Sequence, residues 1–299
     1  MANMRIAITG ASGFVGRELT KRAAAAGHAV VPLSRGETSI ASYEDATSLA
    51  KAFEGSDVVV HLAARAHESG TDADFECNVR AARAVSQAAR DAGVRRLVLL
   101  SSIGVNGNFT RSHPFTEADV PAPIQPYSRS KLRAEEVVKA SEVEHVIVRP
   151  PLVYGANAPG NFARLVYLMA RGWPLPLASI RNERSLVGVH NLCDFIVQCA
   201  THPSAANELF LVADSEDLST PDVARCIARG LRKPVRLWPA PPALIVALAA
   251  IVGRKREAQG LCKSLQVDAS KARRLLGWSP QVNAREGLEQ AARDWKFAR

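Results

Sequence analysis

The first half of the chain alternates short apolar runs with glycine-bounded helical patterns. Arg5-Ile6-Ala7-Ile8-Thr9 has strand length, and Gly10-Ala11-Ser12-Gly13-Phe14-Val15-Gly16 follows it. A helical pattern then runs through Leu19 and Ala23 to Gly27. His28 to Leu33 reads as a second strand, and Asp57 to Ala64 as a buried strand ending in small residues. A helix over Asn78 to Ala92 closes at Gly93, and Arg96 to Leu100 is another buried strand. Beyond Tyr127, the positions Ala134, Val137 and Val138 keep helical spacing. Strand, crossover helix and strand in repetition predict an α/β protein with a parallel sheet.

The second half carries one conspicuous apolar run, Ala243 to Val252, followed by Arg254-Lys255-Arg256. It is too short to cross a bilayer, and the expectation is a buried helix in preference to an anchor on a membrane surface. There is no internal repeat. At 299 residues, 47% hydrophobic and 22% charged, the chain is ordinary globular material large enough for two sub-domains.

A net charge of +9 suits an anionic partner. The basic residues are scattered without interleaved aromatics, which points to phosphorylated small molecules and away from nucleic acid. Cys77, Cys193, Cys199, Cys226 and Cys262 include no Cys-x-x-Cys, and no histidines stand at ligand spacing. No metal site is expected, and the cysteines read as reduced thiols of a cytoplasmic protein. Met1 to Met4 run straight into a strand, so no signal peptide is expected.

The candidate chemistry begins at the glycines. Between a strand and a helix, the first permits the tight turn, the second removes a side chain where a pyrophosphate approaches, and the third lets helix and strand pack closely. The helix amino terminus then holds phosphate. About twenty residues on, the second strand ends in Ser34-Arg35. An arginine there suits the 2′-phosphate of NADP(H) and favours it, while nearby Glu37 keeps NAD(H) as the alternative. Tyr127 and Lys131 stand four residues apart on one helical face, with Ser101-Ser102 delivered to a strand end. A tyrosine is a poor base near its ordinary pKa of about 10. The expectation is that the lysine charge, aided by an oxidised nicotinamide, favours phenolate and makes Tyr127 a proton shuttle.

Together these segments resemble the extended short-chain dehydrogenase/reductases that act on nucleotide sugars. The resemblance rests on Gly10-x-x-Gly13-x-x-Gly16, Asp57-Val-Val-Val-His-Leu-Ala-Ala64, Ser101-Ser102, Tyr127-x-x-x-Lys131 and Arg149-Pro-Pro-Leu-Val-Tyr-Gly155. Later segments from Asn161-Phe162 to Val267–Trp278 look like a bacterial branch of UDP-hexose 4-epimerases and UDP-4-keto-6-deoxy-N-acetylhexosamine reductases of surface-polysaccharide synthesis. The resemblance implies a Rossmann-type doubly wound parallel sheet over 1–150. A smaller mixed α/β substrate domain would cover 151–299, with about 187–200 returning to the first domain. It also implies a homodimer formed through a helical face.

Residue by residue, it implies that Tyr127 exchanges a proton with the sugar 4-oxygen while hydride moves to or from nicotinamide. Lys131 would bind the nicotinamide ribose, and Ser102 the same sugar oxygen. The cofactor set is Gly10, Gly13, Phe14, Gly16, Arg35, Leu62 and Ala63 with Tyr127 and Lys131. Asn161 and Arg184 would meet the nucleotide diphosphate, with Arg254 or Arg256 as a further diphosphate ligand. The chain departs from the relatives at Ile40-Ala41-Ser42-Tyr43, where they carry an aspartate and an aliphatic residue for adenine.

Ser102 is followed by Ile103-Gly104, where related 4,6-dehydratases carry Asp-Glu, and no cysteine occupies the position used by 3,5-epimerase-reductases. That leaves 4-keto reduction or 4-epimerisation of a UDP-sugar. Arg35 and the segment from Ser102 to Gly107 favour the reductase. A non-catalytic nucleotide sensor on this fold would be expected to have a broken Ser/Tyr/Lys set, and the set is intact.

Overall fold

The computed structural model describes residues 3–36, 42–66, 70–251 and 253–297. In chain order the elements are β1 (Arg5–Thr9), α1 (Phe14–Ala25), β2 (Ala29–Leu33), α2 (Ala46–Phe53), β3 (Val58–His61), α3 (Glu76–Asp91), β4 (Arg96–Leu100), α4 (Pro126–Lys139), β5 (Glu144–Arg149) and β6 (Leu152–Tyr154). They continue with α5 (Asn161–Ala170), β7 (Leu186–Gly188), α6 (Val189–Thr201), β8 (Glu208–Leu211), α7 (Thr220–Gly230), α8 (Pro242–Ile251), α9 (Lys255–Cys262), α10 (Ser270–Leu276) and α11 (Ala284–Arg293).

Six parallel strands form one sheet in the order β2-β1-β3-β4-β5-β8. The chain leaves β1 toward β2 and then crosses to β3 on the other side. That reversal opens a crevice beyond the carboxyl ends of β1 and β3, where such sheets bind ligands. The central strands are continuous apolar runs because both faces are covered. Ile6, Ile8, Val58, Val60, Val98, Val146 and Val148 face one core, shared with Leu19 of α1 and Leu192, Phe195 and Ile196 of α6. The alternate positions Ala7, Val59, Leu97, Leu99 and Ile147 face the other, with Leu49, Val85 and Val138 from α2, α3 and α4.

The short parallel pair β6-β7 and helices α5, α7 and α11 enclose a separate core around Tyr154, Phe162, Val166, Ile227 and Leu288. A polar hub joins this core to the sheet. Tyr154 donates to Asp214 Oδ2 at 2.6 Å, and Asp214 accepts from Gly188 N at 3.1 Å and Asn191 Nδ2 at 2.7 Å. Burial pushes the Asp214 carboxyl up, against the opposing pull of these bonds.

The apolar run near residue 245 does form a helix, α8, but none of its residues is buried. The expectation of a buried helix is therefore wrong. Only its inward side, with Ile245, packs on the second core, while Leu244, Leu248 and Ile251 face out.

Candidate active site

The glycine turn lies at the crevice. Gly10 has φ +74°, a left-handed conformation, and a Cβ there would sit 2.8 Å from the backbone nitrogen of Ala63. Leu62 N donates to Thr9 O, so Leu62 and Ala63 run directly beside the turn. Gly13 precedes the first turn of α1 with no side-chain cap, which leaves the helix amides free to meet an anion. A Cβ on Gly16 would stand 2.1 Å from the Gly10 oxygen. Gly16 thus lets helix pack against turn, where helix against strand was expected.

The ring of Phe14 lies where a Cβ on Gly155 would meet it at 3.0 Å. Tyr43, absent from the predicted set, braces the turn. Its hydroxyl accepts from Gly10 N at 2.8 Å and donates to Leu33 O at 2.9 Å. Arg35 is exposed just past the carboxyl end of β2. Glu37, Ile40 and Ala41 lie outside the described residues.

Helix α4 presents the tyrosine and lysine. Pro126 occupies its first turn, where the missing N–H costs nothing. Tyr127 is half-buried, its ring edge-on to Phe75 at a centroid distance of 6.0 Å. Burial pushes its phenol up to about 12. Lys131 is 3% exposed, and burial pushes its ammonium down to about 8 against the raising influence of Glu135. The expected phenolate is thus not favoured by the protein alone, because desolvation opposes the charged form of both groups. Lys131 nevertheless carries a buried charge with no hydrogen bond to any described residue, which fits a polar ligand such as ribose hydroxyls. His61 is held neutral beside it, pushed down to about 3 by burial and then by Lys131, with Nδ1 2.7 Å from Thr9 Oγ1.

Ser102 caps the short 103–105 turn, its Oγ accepting from Gly104 N at 3.1 Å, so the hydroxyl hydrogen remains available to donate. A Cβ on Gly104 would fall 2.4 Å from Ser128 Oγ, so this glycine lets the Ser102 turn lie directly on the first turn of α4.

Two buried polar networks hold that arrangement, and neither was anticipated. Asn78 of α3 donates to Ser130 Oγ at 3.0 Å and accepts from Arg65 N at 2.7 Å, while Ser130 donates to Tyr127 O at 2.8 Å. Below, Glu135 and Arg149 form a fully buried bidentate pair at 2.6 and 2.9 Å. Ser101 Oγ donates to Glu135, and Arg149 donates to Asn106 Oδ1 at 2.8 Å. The pair ties α4 to the ends of β4 and β5. Arg149 had been visible only as part of a motif, and Glu135 follows Lys131 by one helical turn.

In the second half of the chain, Arg184 is half-buried and donates to Gly260 O at 2.6 Å and Lys263 O at 3.0 Å. Burial lowers its pKa, and among the described residues no carboxylate pairs with it. Asn161 is exposed at the start of α5, behind Gly160 with φ +76°. Arg164 on α5 reaches Glu257 of α9 at 3.8 Å, so the elements behind Asn161 and Arg184 adjoin. Arg254 is exposed before α9, and the side chain of Arg256 lies outside the described residues. Among the described residues no cluster could hold a metal ion.

Comparison with known proteins agrees with this architecture. The chain is 37% identical to a UDP-glucose 4-epimerase of Vibrio cholerae, covering 96% of this chain and 94% of that one. It is 28% identical to the N-acetyl-alpha-D-glucosaminyl-diphospho-ditrans,octacis-undecaprenol 4-epimerase of Escherichia coli O157:H7, over 90% and 88% of the two chains. The structure of UDP-N-acetylglucosamine 4-epimerase from Bacillus cereus superposes with a TM-score of 0.81 at 21% identity, covering 97% and 98%, a likeness of fold. Residues 6–213, from β1 through β8, match the NAD dependent epimerase/dehydratase family, and the chain belongs to it.

Proposed function

We propose that this protein is a UDP-hexose 4-epimerase working with a bound nicotinamide dinucleotide. The observation that carries this is the 37% identity to the Vibrio cholerae UDP-glucose 4-epimerase along nearly the whole chain, which favours epimerisation over the reduction expected from the sequence. Gly10, Gly13 and Gly16 would hold the dinucleotide with Leu62, Ala63 and Lys131. The bound nicotinamide supplies the hydride acceptor and donor.

The chain supplies the proton chemistry and the geometry. Tyr127 takes the proton of the sugar 4-hydroxyl and returns it, and Ser102 donates a hydrogen bond to the same oxygen. Lys131 orients the ribose and contributes the positive charge that a phenolate needs. Arg184, a half-buried guanidinium with no carboxylate partner among the described residues, and Asn161 would receive the diphosphate. The site chemistry requires no metal.

The test is interconversion of UDP-glucose and UDP-galactose, or of their N-acetyl forms, without net production of NADH. Tyr127→Phe should lower kcat by about 10²–10⁴-fold while KM changes little. Unchanged turnover in that variant would refute the assignment. The exposed Arg35 at the end of β2 favours a second reading, an NADPH-dependent UDP-4-keto-sugar reductase. Stoichiometric NADPH oxidation by a UDP-4-keto-6-deoxy-hexosamine, with no interconversion of UDP-hexoses, would establish that reading instead.

A further inference from the structure

Helix α8 is Pro242-Ala-Leu-Ile-Val-Ala-Leu-Ala-Ala-Ile251, ten residues without a polar side chain. A helix apolar all round belongs in a core or in lipid, yet Leu244, Leu248 and Ile251 are 50%, 57% and 80% exposed. They stand at i, i+4 and i+7, one continuous outward stripe. The charged residues leading in and out are all basic: between 232 and 256 the chain has Arg232, Lys233, Arg236, Arg254, Lys255 and Arg256 and no acid.

Two tryptophans flank the same region, Trp173 at 57% and Trp238 at 48% exposure. Their segments are paired, with Leu175 N donating to Arg236 O and Trp238 N to Leu175 O. Trp238 stands four residues before α8 and Gly253, with φ +72°, ends it, turning the chain to Arg254 and Lys255.

We propose that α8 docks the protein in the plane of an anionic phospholipid surface. The apolar stripe would enter the boundary between headgroups and acyl chains, with the tryptophans at headgroup level and the cations on lipid phosphates. Ten helical residues span about 15 Å, half the hydrocarbon thickness, so α8 lies on the bilayer and does not cross it. Among the described residues no helix is long and apolar enough to cross. The charge pattern selects this occupant. A second copy of the chain would bring the same cations against themselves, whereas an anionic bilayer neutralises them.

The proposal is independent of the reaction assigned above, since it is read by binding alone. The purified full-length chain is sedimented with phosphatidylcholine vesicles, with and without phosphatidylglycerol. It should pellet with the anionic vesicles and be partly released by salt. Leu248→Glu, at an exposed position that should leave Tm unchanged, should weaken the partition at least about tenfold. Lys233→Glu with Lys255→Glu should weaken binding to anionic vesicles and leave the residual binding to neutral ones. Wild-type protein that stays in the supernatant, or a Leu248→Glu variant that pellets like wild type, would overturn the proposal. So would a solution dimer that Leu248→Glu converts to monomer, because α8 would then be covered by a second chain.

Discussion

Holding Lys131 charged in its pocket costs stability, and that cost can be removed. Burial takes the ammonium from an ordinary 10.5 to about 8. At about 1.4 kcal/mol per pH unit, the folded protein without cofactor gives up about 3 kcal/mol at neutral pH to keep this charge. Lys131→Met preserves the length of the side chain and removes the charge, while Glu135 keeps its partner Arg149. The variant should therefore be more stable than wild type at pH 7, by as much as about 3 kcal/mol and by less if packing around the sulfur is imperfect.

The sign with pH is fixed by linkage. Between about 8 and 10.5 the unfolded chain binds more protons at Lys131 than the folded one, so wild-type stability rises with pH across that window. The advantage of Lys131→Met is full below pH 8 and vanishes above about 10.5. Urea unfolding of both cofactor-free proteins at pH 7 and at pH 10 measures it, and turnover should fall together with the gain in stability. A variant less stable than wild type at pH 7, or an advantage independent of pH, would refute the reasoning.

Removing one member of the buried pair, as in Arg149→Met, strands a charge on Glu135 and should cost about 3–5 kcal/mol in urea unfolding. The double replacement Glu135→Leu with Arg149→Met should regain most of it. In Gly16→Ala the helix preference for alanine, about 1 kcal/mol, is outweighed by a Cβ 2.1 Å from the Gly10 oxygen. Nicotinamide dinucleotide titrations should show binding weakened at least about tenfold. Absorbance titration against Tyr127→Phe should find this phenol ionising near 12 in the cofactor-free protein. Its ionisation should move lower once a positive charge is bound beside it.

Much of this protein is written locally. The apolar runs of β1, β3 and β4 bounded by glycine announce a parallel sheet, because strands covered on both faces need no polar alternation. Gly10, Gly13 and Gly16 announce a phosphate turn, since backbone that must bend sharply and be approached closely excludes a Cβ. Tyr127 and Lys131 share a helical face by spacing alone.

What spacing could not carry is everything set by distant partners. That β8 completes the sheet and α6 packs beside α1 depends on pairings between residues more than fifty positions apart. The brace at Tyr43, the Asn78–Ser130 contact and the Glu135–Arg149 pair join separate elements, and no periodicity marks them. The ionisation of Tyr127 and Lys131 follows from desolvation, a property of the closed pocket and not of the two residues. Likewise the composition of α8 suits a core, and only the tertiary structure shows its apolar stripe turned outward, because exposure is set by which neighbours pack on a helix and here Ile245 alone meets the second core.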